Sequence, residues 1–177
     1  MARLRGGVLH LQKAPASLLT LLLVHCLALV ACETPDPKAE LEMRDLETYW
    51  VIDKPVGTTQ YIAPAARFRL RNKGTKPRGS IEAKATFRRK GEEQEWGSDW
   101  ERLSSSSKPL APGQETVVML KSDGHYYSAG TPESMFDHAL FKDAAVEIFL
   151  RVGASNWVKF GAADVERHIG SRAAQEP

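Results

Sequence analysis

Ile81-Glu82-Ala83-Lys84-Ala85-Thr86-Phe87-Arg88 alternates apolar and polar side chains without a break. Successive side chains on a strand point to opposite faces, so this stretch reads as a strand with one buried face and one wet face. Upstream the same period returns, with Phe68 and Leu70 set between Arg67, Arg69 and Arg71. The connection over 72–79 carries Gly74, Pro77 and Gly79, and the two segments are expected to pair as antiparallel neighbours. Further strands are expected at 49–52, 95–103, 115–121, 145–152, 157–160 and 164–169, divided by turn signals such as Pro112-Gly113 and Asp123-Gly124. Seven or eight short strands predict an all-β sandwich of antiparallel strands. One short helical insert interrupts the pattern, with Thr131 as cap, Pro132 at its first position, and Met135, Phe136, Ala139 and Leu140 on one face.

The chain has 177 residues, 26% charged and 42% hydrophobic, a balance that fits one folded domain and excludes wholesale disorder. Its formal charge of +2 depends on Arg3, Arg5 and Lys13, which precede Cys32 with no acid among them. Beyond Cys32 acids outnumber bases by one, so net charge gives no support to a nucleic-acid partner.

The N-terminal charges are followed by an apolar run from 17 to 31, broken only by Thr20, His25 and Cys26. This is the layout of a secretory signal, and about 15 residues is short for a bilayer span, which needs roughly 20. The run ends Leu29-Val30-Ala31-Cys32, which resembles the lipobox of bacterial lipoproteins. The resemblance implies cleavage after Ala31, a diacylglyceryl thioether and an acylated amine on Cys32, and a membrane partner through that lipid. Cys26 does not fit the pattern, because His25 stands where a small residue is required. With Glu33 rather than Asp after the cysteine, the enteric sorting rule implies the outer membrane, facing the periplasm or the cell surface. Residues 33–47 hold two prolines and six acids, and read as a polar tether of about 20 Å r.m.s. reach. The expected organisation is a signal peptide over 1–31, lipidated Cys32 and acidic tether over 32–47, a sandwich over 48–170, and a disordered tail over 171–177. Once cut, the chain has Cys32 as its only cysteine, so no internal disulfide can brace the fold.

Within the sandwich, Arg67-Phe68-Arg69-Leu70-Arg71-Asn72-Lys73-Gly74 and Leu110-Ala111-Pro112-Gly113 resemble two recurrent turns of bacterial immunoglobulin-like and fibronectin-like domains. In those families a strand ends in Asn-x-Gly, and a later strand follows Leu-x-Pro-Gly. The resemblance implies an immunoglobulin-like β-sandwich of seven to eight antiparallel strands and no activity.

Residues 67–90 carry ten bases against the single acid Glu82, and residues 92–101 then carry five acids. Two readings follow: bases and acids pair across an exposed sheet, or Arg67, Arg69 and Arg71 form a patch for an anionic glycan, a lipid headgroup or an acidic partner. Trp96 and Trp100 sit an even number apart and are expected on one side of a strand, either in the core or as a platform for sugar rings. His125, Tyr126 and Tyr127 follow Asp123-Gly124 in an expected loop, a candidate contact for an envelope protein partner. His125, His138 and His168 show no zinc-ligand spacing, no Gly-x-Ser-x-Gly elbow occurs, and no cofactor motif is present. The sequence therefore reads as an envelope-anchored, non-catalytic protein-binding or assembly module. Binding of anionic glycan or lipid through the arginines is the alternative. A hydrolase built on His138 or His168 is a third.

Overall fold

In the computed structural model the described residues are 35–56, 59–128 and 130–170. The expected signal peptide over 1–31, Cys32 and the expected tail over 171–177 lie outside them. A one-turn helix α1 (Pro37–Glu40) opens the domain, with the Asp36 side chain accepting the Lys38 N–H at 2.9 Å and Pro37 at the first position, where no N–H is needed. Eight strands follow: β1 (Leu41–Val56), β2 (Thr59–Asn72), β3 (Ile81–Arg89), β4 (Gly97–Arg102), β5 (Glu115–Lys121), β6 (Tyr126–Ser128), β7 (Ala144–Val152) and β8 (Val158–Asp164). They form two antiparallel sheets. Sheet I runs β1-β2-β5, with β6 also on β2, and sheet II runs β4-β3-β7-β8. The molecule is an all-β sandwich with one further short helical piece, a 3-10 helix at Pro132–Asp137.

Alternation builds the core. On sheet I, Trp50, Ile62, Phe68 and Leu70 point inward, and on sheet II, Ile81, Phe87, Ile148 and Leu150 meet them; each is at most 2% exposed. Each such side chain contributes about 1.5–3 kcal/mol through burial, which is how a sandwich without disulfides holds together. At one end Trp50 is boxed by Trp96, Tyr126, Phe136 and Phe141, with ring centres 5.1–6.2 Å away.

Four local expectations change. Strand β1 begins at Leu41, inside the stretch read as tether, because Leu41 and Met43 face the core before a bulge between Arg44 and Glu47 resets the register for Leu46, Thr48 and Trp50. Asp45 sits in that bulge at φ 52°. The strands β2 and β3 are not neighbours: β2 lies between β1 and β5, while β3 lies between β4 and β7. The helical insert is 3-10, and only Met135 and Phe136 of its expected face pack inward, leaving Leu140 exposed. Residues 164–169 contribute the end of β8 and then a single parallel bridge from Ile169 to Trp50.

The crossing between sheets is organised by Asn72, which is fully buried. Its amide donates to the carbonyls of Lys76 and Leu110, both at 2.9 Å, and its oxygen accepts the Gly74 N–H at 2.9 Å. Its backbone N–H donates to Gln114 O, and its carbonyl accepts from Gly113 N–H. Gly113 is at φ 75°, a conformation that suits glycine. The Asn-x-Gly and Leu-x-Pro-Gly turns are thus one hydrogen-bonded unit, closed by the Arg78–Leu110 bridge.

Candidate functional site

The alternation of β2 places Arg67, Arg69 and Arg71 together on the outer face of sheet I. Their partners are acids of β1 and β5 rather than those of 92–101. Arg67 meets Glu47 at 3.5 Å, and Arg69 meets Asp45 at 3.5 Å and Glu115 at 4.0 Å. Arg71 stands in register between Glu42 and Glu115. Arg44 joins the network, holding Glu42 at 2.7 Å, and that hydrogen bond keeps the Glu42 carboxyl below its ordinary range. Four arginines therefore face four acids, and the patch is neutralised where it stands. Toward β6 the same face becomes apolar, with Tyr49, Val51, Ala63 and Ala65 forming a small buried cluster beside Met119.

The segment His125-Tyr126-Tyr127 is divided by strand alternation, because it enters β6 rather than remaining a loop. Tyr126 turns inward, 4.9 Å from Trp96 and 5.1 Å from Phe141, and its hydroxyl is fixed by the backbone of Lys142. Its ring is half-buried in this aromatic packing. Tyr127 points outward at 70% exposure near Tyr61, and His125 meets the Tyr61 ring edge-on at 4.9 Å. His138 and His168 lie in other surroundings: His138 Nδ1 accepts from the Leu140 N–H, and His168 packs at Tyr49. Among the described residues no cluster of three metal-ligating side chains occurs.

Trp96 and Trp100 do not share a face. Trp96 precedes β4 and packs under Trp50, so strand alternation does not govern it. Trp100 lies opposite Lys84 on the outer face of sheet II and is 49% exposed. Its neighbours form the face that charge counting along the chain missed. Glu82 is gripped by Arg102 at 3.2 Å and by Arg151. Burial raises the proton affinity of Glu82, but hydrogen bonds from Arg151 and Arg102 outweigh that and hold its carboxyl below the usual range. Glu147 is held low by Lys159 and then Arg88, each at 2.5 Å.

The sheet edges differ as well. Trp50 on β1 donates its N–H to His168 O at 2.9 Å and accepts from Gly170 N–H at 2.8 Å, so the C-terminal segment covers that edge. On β4 carboxylates cap the outward N–H groups, Asp123 taking Ser98 and Asp99 taking Trp100, both at 2.8 Å. Gly97 permits this approach, since a Cβ there would strike Ser122 Oγ and the Gly124 nitrogen. On β8, Asp164 O accepts from Thr48 Oγ1 at 2.7 Å. The edge of sheet I opposite β1 is shared by β5 and β6. On β5 the outward groups can be assigned. Its Lys121 N–H points away from β2 to Asp99 Oδ2 at 2.8 Å, and by alternation the N–H groups of Glu115, Val117 and Met119 point the same way. Val117 is 40% exposed. A groove of about 360 Å³ adjoins this edge, lined by Val51, Trp100, Glu101, Met119 and Lys121 among others. Within it, burial and then Asp99 push the Glu101 carboxyl above its ordinary range.

No protein-family model matches the chain, and no curated protein matches it. Several solved structures are similar. One is a Bordetella pertussis protein described as ApaA, 15% identical, covering 71% of this chain and 92% of that one at TM-score 0.39. A protein from Archaeoglobus fulgidus is 13% identical, covering 70% and 94% at 0.40. An Arabidopsis thaliana protein solved in solution is 15% identical, covering 82% and 93% at 0.44.

Proposed function

We propose that this protein is a lipid-anchored, non-catalytic binding module of the bacterial envelope, recruiting a protein partner by strand addition to β5. The anchor reading is supported by Leu29-Val30-Ala31-Cys32 closing an apolar run behind three positive charges. The observation that carries the recruitment reading is the β5 edge: β1 is covered at Trp50 and β4 is capped at Ser98 and Trp100, while Glu115 to Met119 turn a row of N–H groups outward beside an apolar side chain and a groove. Such an edge is a template for an extended segment, which gains affinity from main-chain hydrogen bonds and specificity from alternate side chains.

The test uses the lipidated protein in intact envelopes with a photoreactive residue at Val117, beside Cys32→Ser and Val117→Lys versions. Capture of one defined protein, weakened by Cys32→Ser and by Val117→Lys with the fold unchanged by circular dichroism, is expected. Capture of polysaccharide or lipid alone would contradict recruitment, and absence of palmitate labelling on wild type would contradict the anchor.

A further inference from the structure

The outward positions of sheet II line up by register into two rows. In the first, Trp100 on β4, Lys84 on β3, Phe149 on β7 and Lys159 on β8 stand side by side. In the second, Arg102, Glu82 and Arg151 are joined by Trp157, just ahead of β8. Four strands at their normal spacing make each row about 14 Å long. The Arg102 guanidinium lies 5.9 Å from the Trp100 ring centre, and that of Arg151 lies 4.6 Å from Trp157. Arg151 thus covers one face of Trp157 and leaves the other for a ligand, while Trp100 is 49% exposed. Lys84 pairs with no carboxylate among the described residues. With Arg88 included, five cations stand over Glu82 and Glu147, while Asp164 is taken by Lys90 at 2.7 Å, so the face keeps a positive surplus.

We infer that this face binds an acidic polysaccharide, one in which carboxylate-bearing sugars alternate with neutral ones. Trp100 and Trp157 offer ring faces to the apolar sides of sugars, while Lys84 and Arg102 meet carboxylates with charge-assisted hydrogen bonds. Glu147, half-buried between its two cations, accepts from hydroxyl donors. Fixed carboxylates among the cations suit a sparsely charged, hydroxyl-rich chain and repel one with a phosphate on every residue. The inference does not depend on the anchor, and it shares only Trp100 with the groove beside β5.

Calorimetry on the full-length protein in detergent, with hyaluronan oligosaccharides as probe and dextran and oligo(dT) as comparisons, tests it. Hyaluronan is expected to bind and weaken with salt, with dextran and oligo(dT) at least about tenfold weaker. Trp100→Ala and Lys84→Glu should each weaken hyaluronan by about tenfold or more, and Arg69→Glu on the other sheet by less than about twofold. Both substitutions on sheet II fall on solvent-facing side chains, and an unchanged melting curve verifies folding. No hyaluronan binding, equal loss with Arg69→Glu, or tighter binding of oligo(dT) overturns the inference.

Discussion

On the outer face of sheet I, Arg44, Arg67, Arg69 and Arg71 stand among Glu42, Asp45, Glu47 and Glu115; on sheet II, Lys84, Arg88, Arg102, Arg151 and Lys159 share only Glu82 and Glu147, Asp164 being held by Lys90. The first face is the more basic when β2 is read alone, yet its neighbouring strands supply an acid for each arginine. The second contains a more modest run of bases along β3, but β4, β7 and β8 add cations and aromatic rings to it. Surface charge in a sheet is a property of cross-strand neighbours, and a count along one strand can rank two faces in the wrong order.

The largest disturbance to this contrast would be at the crossing that assigns β2 and β3 to different sheets. Asn72→Ala leaves the carbonyls of Lys76 and Leu110 and the Gly74 N–H without their partner. The expected cost is about 2–3 kcal/mol, a fall in Tm of about 10 °C in a thermal melt. Glu82→Gln strikes sheet II directly, removing the charge between Arg102 and Arg151. Because both guanidiniums reach solvent, the loss should be about 1–2 kcal/mol, read by urea denaturation. On sheet I, Arg69→Glu should change stability by less than about 1 kcal/mol, since its ion pairs are long and exposed.

Acid should separate the contributions further. The carboxyls of Glu82 and Glu147 are held below their unfolded values, so their stabilisation is full above the unfolded pKa and fades as pH falls through the folded one. Wild type should therefore lose stability below about pH 4, and the Glu82→Gln protein should show a flatter acid limb in pH-dependent melts. The smallest expected effect has the opposite sign. Glu101, pushed upward by burial and Asp99, weakens the fold when ionised, so Glu101→Gln should raise Tm at neutral pH by about 1 °C.

Much of the sandwich was legible locally. Strand β5 was expected over 115–121 and occurs there, and β3 and β7 were readable from their alternation. The start of β1 was hidden because the bulge at Asp45 breaks the alternation between Met43 and Leu46, making an acid-rich strand look like a tether. The separation of β2 from β3 depends on Asn72 reaching Leu110, a contact 38 residues away that leaves no periodic trace. The candidate site was legible only in fragments. Tyr126 and Tyr127 look alike until three residues of strand turn one inward, and Trp96 escapes the even-spacing rule by preceding Gly97. The acids opposite Arg67 and Arg69 come from β1 and β5, so only the register reveals them.

The contrast between the two faces is tested most directly by backbone NMR of the full-length protein in micelles during titration with hyaluronan oligosaccharide. The account predicts shift changes concentrated at Lys84, Trp100, Arg102, Arg151 and Trp157, with the amides of Arg67, Arg69 and Arg71 unmoved. Changes centred on those three arginines, with sheet II silent, would contradict it.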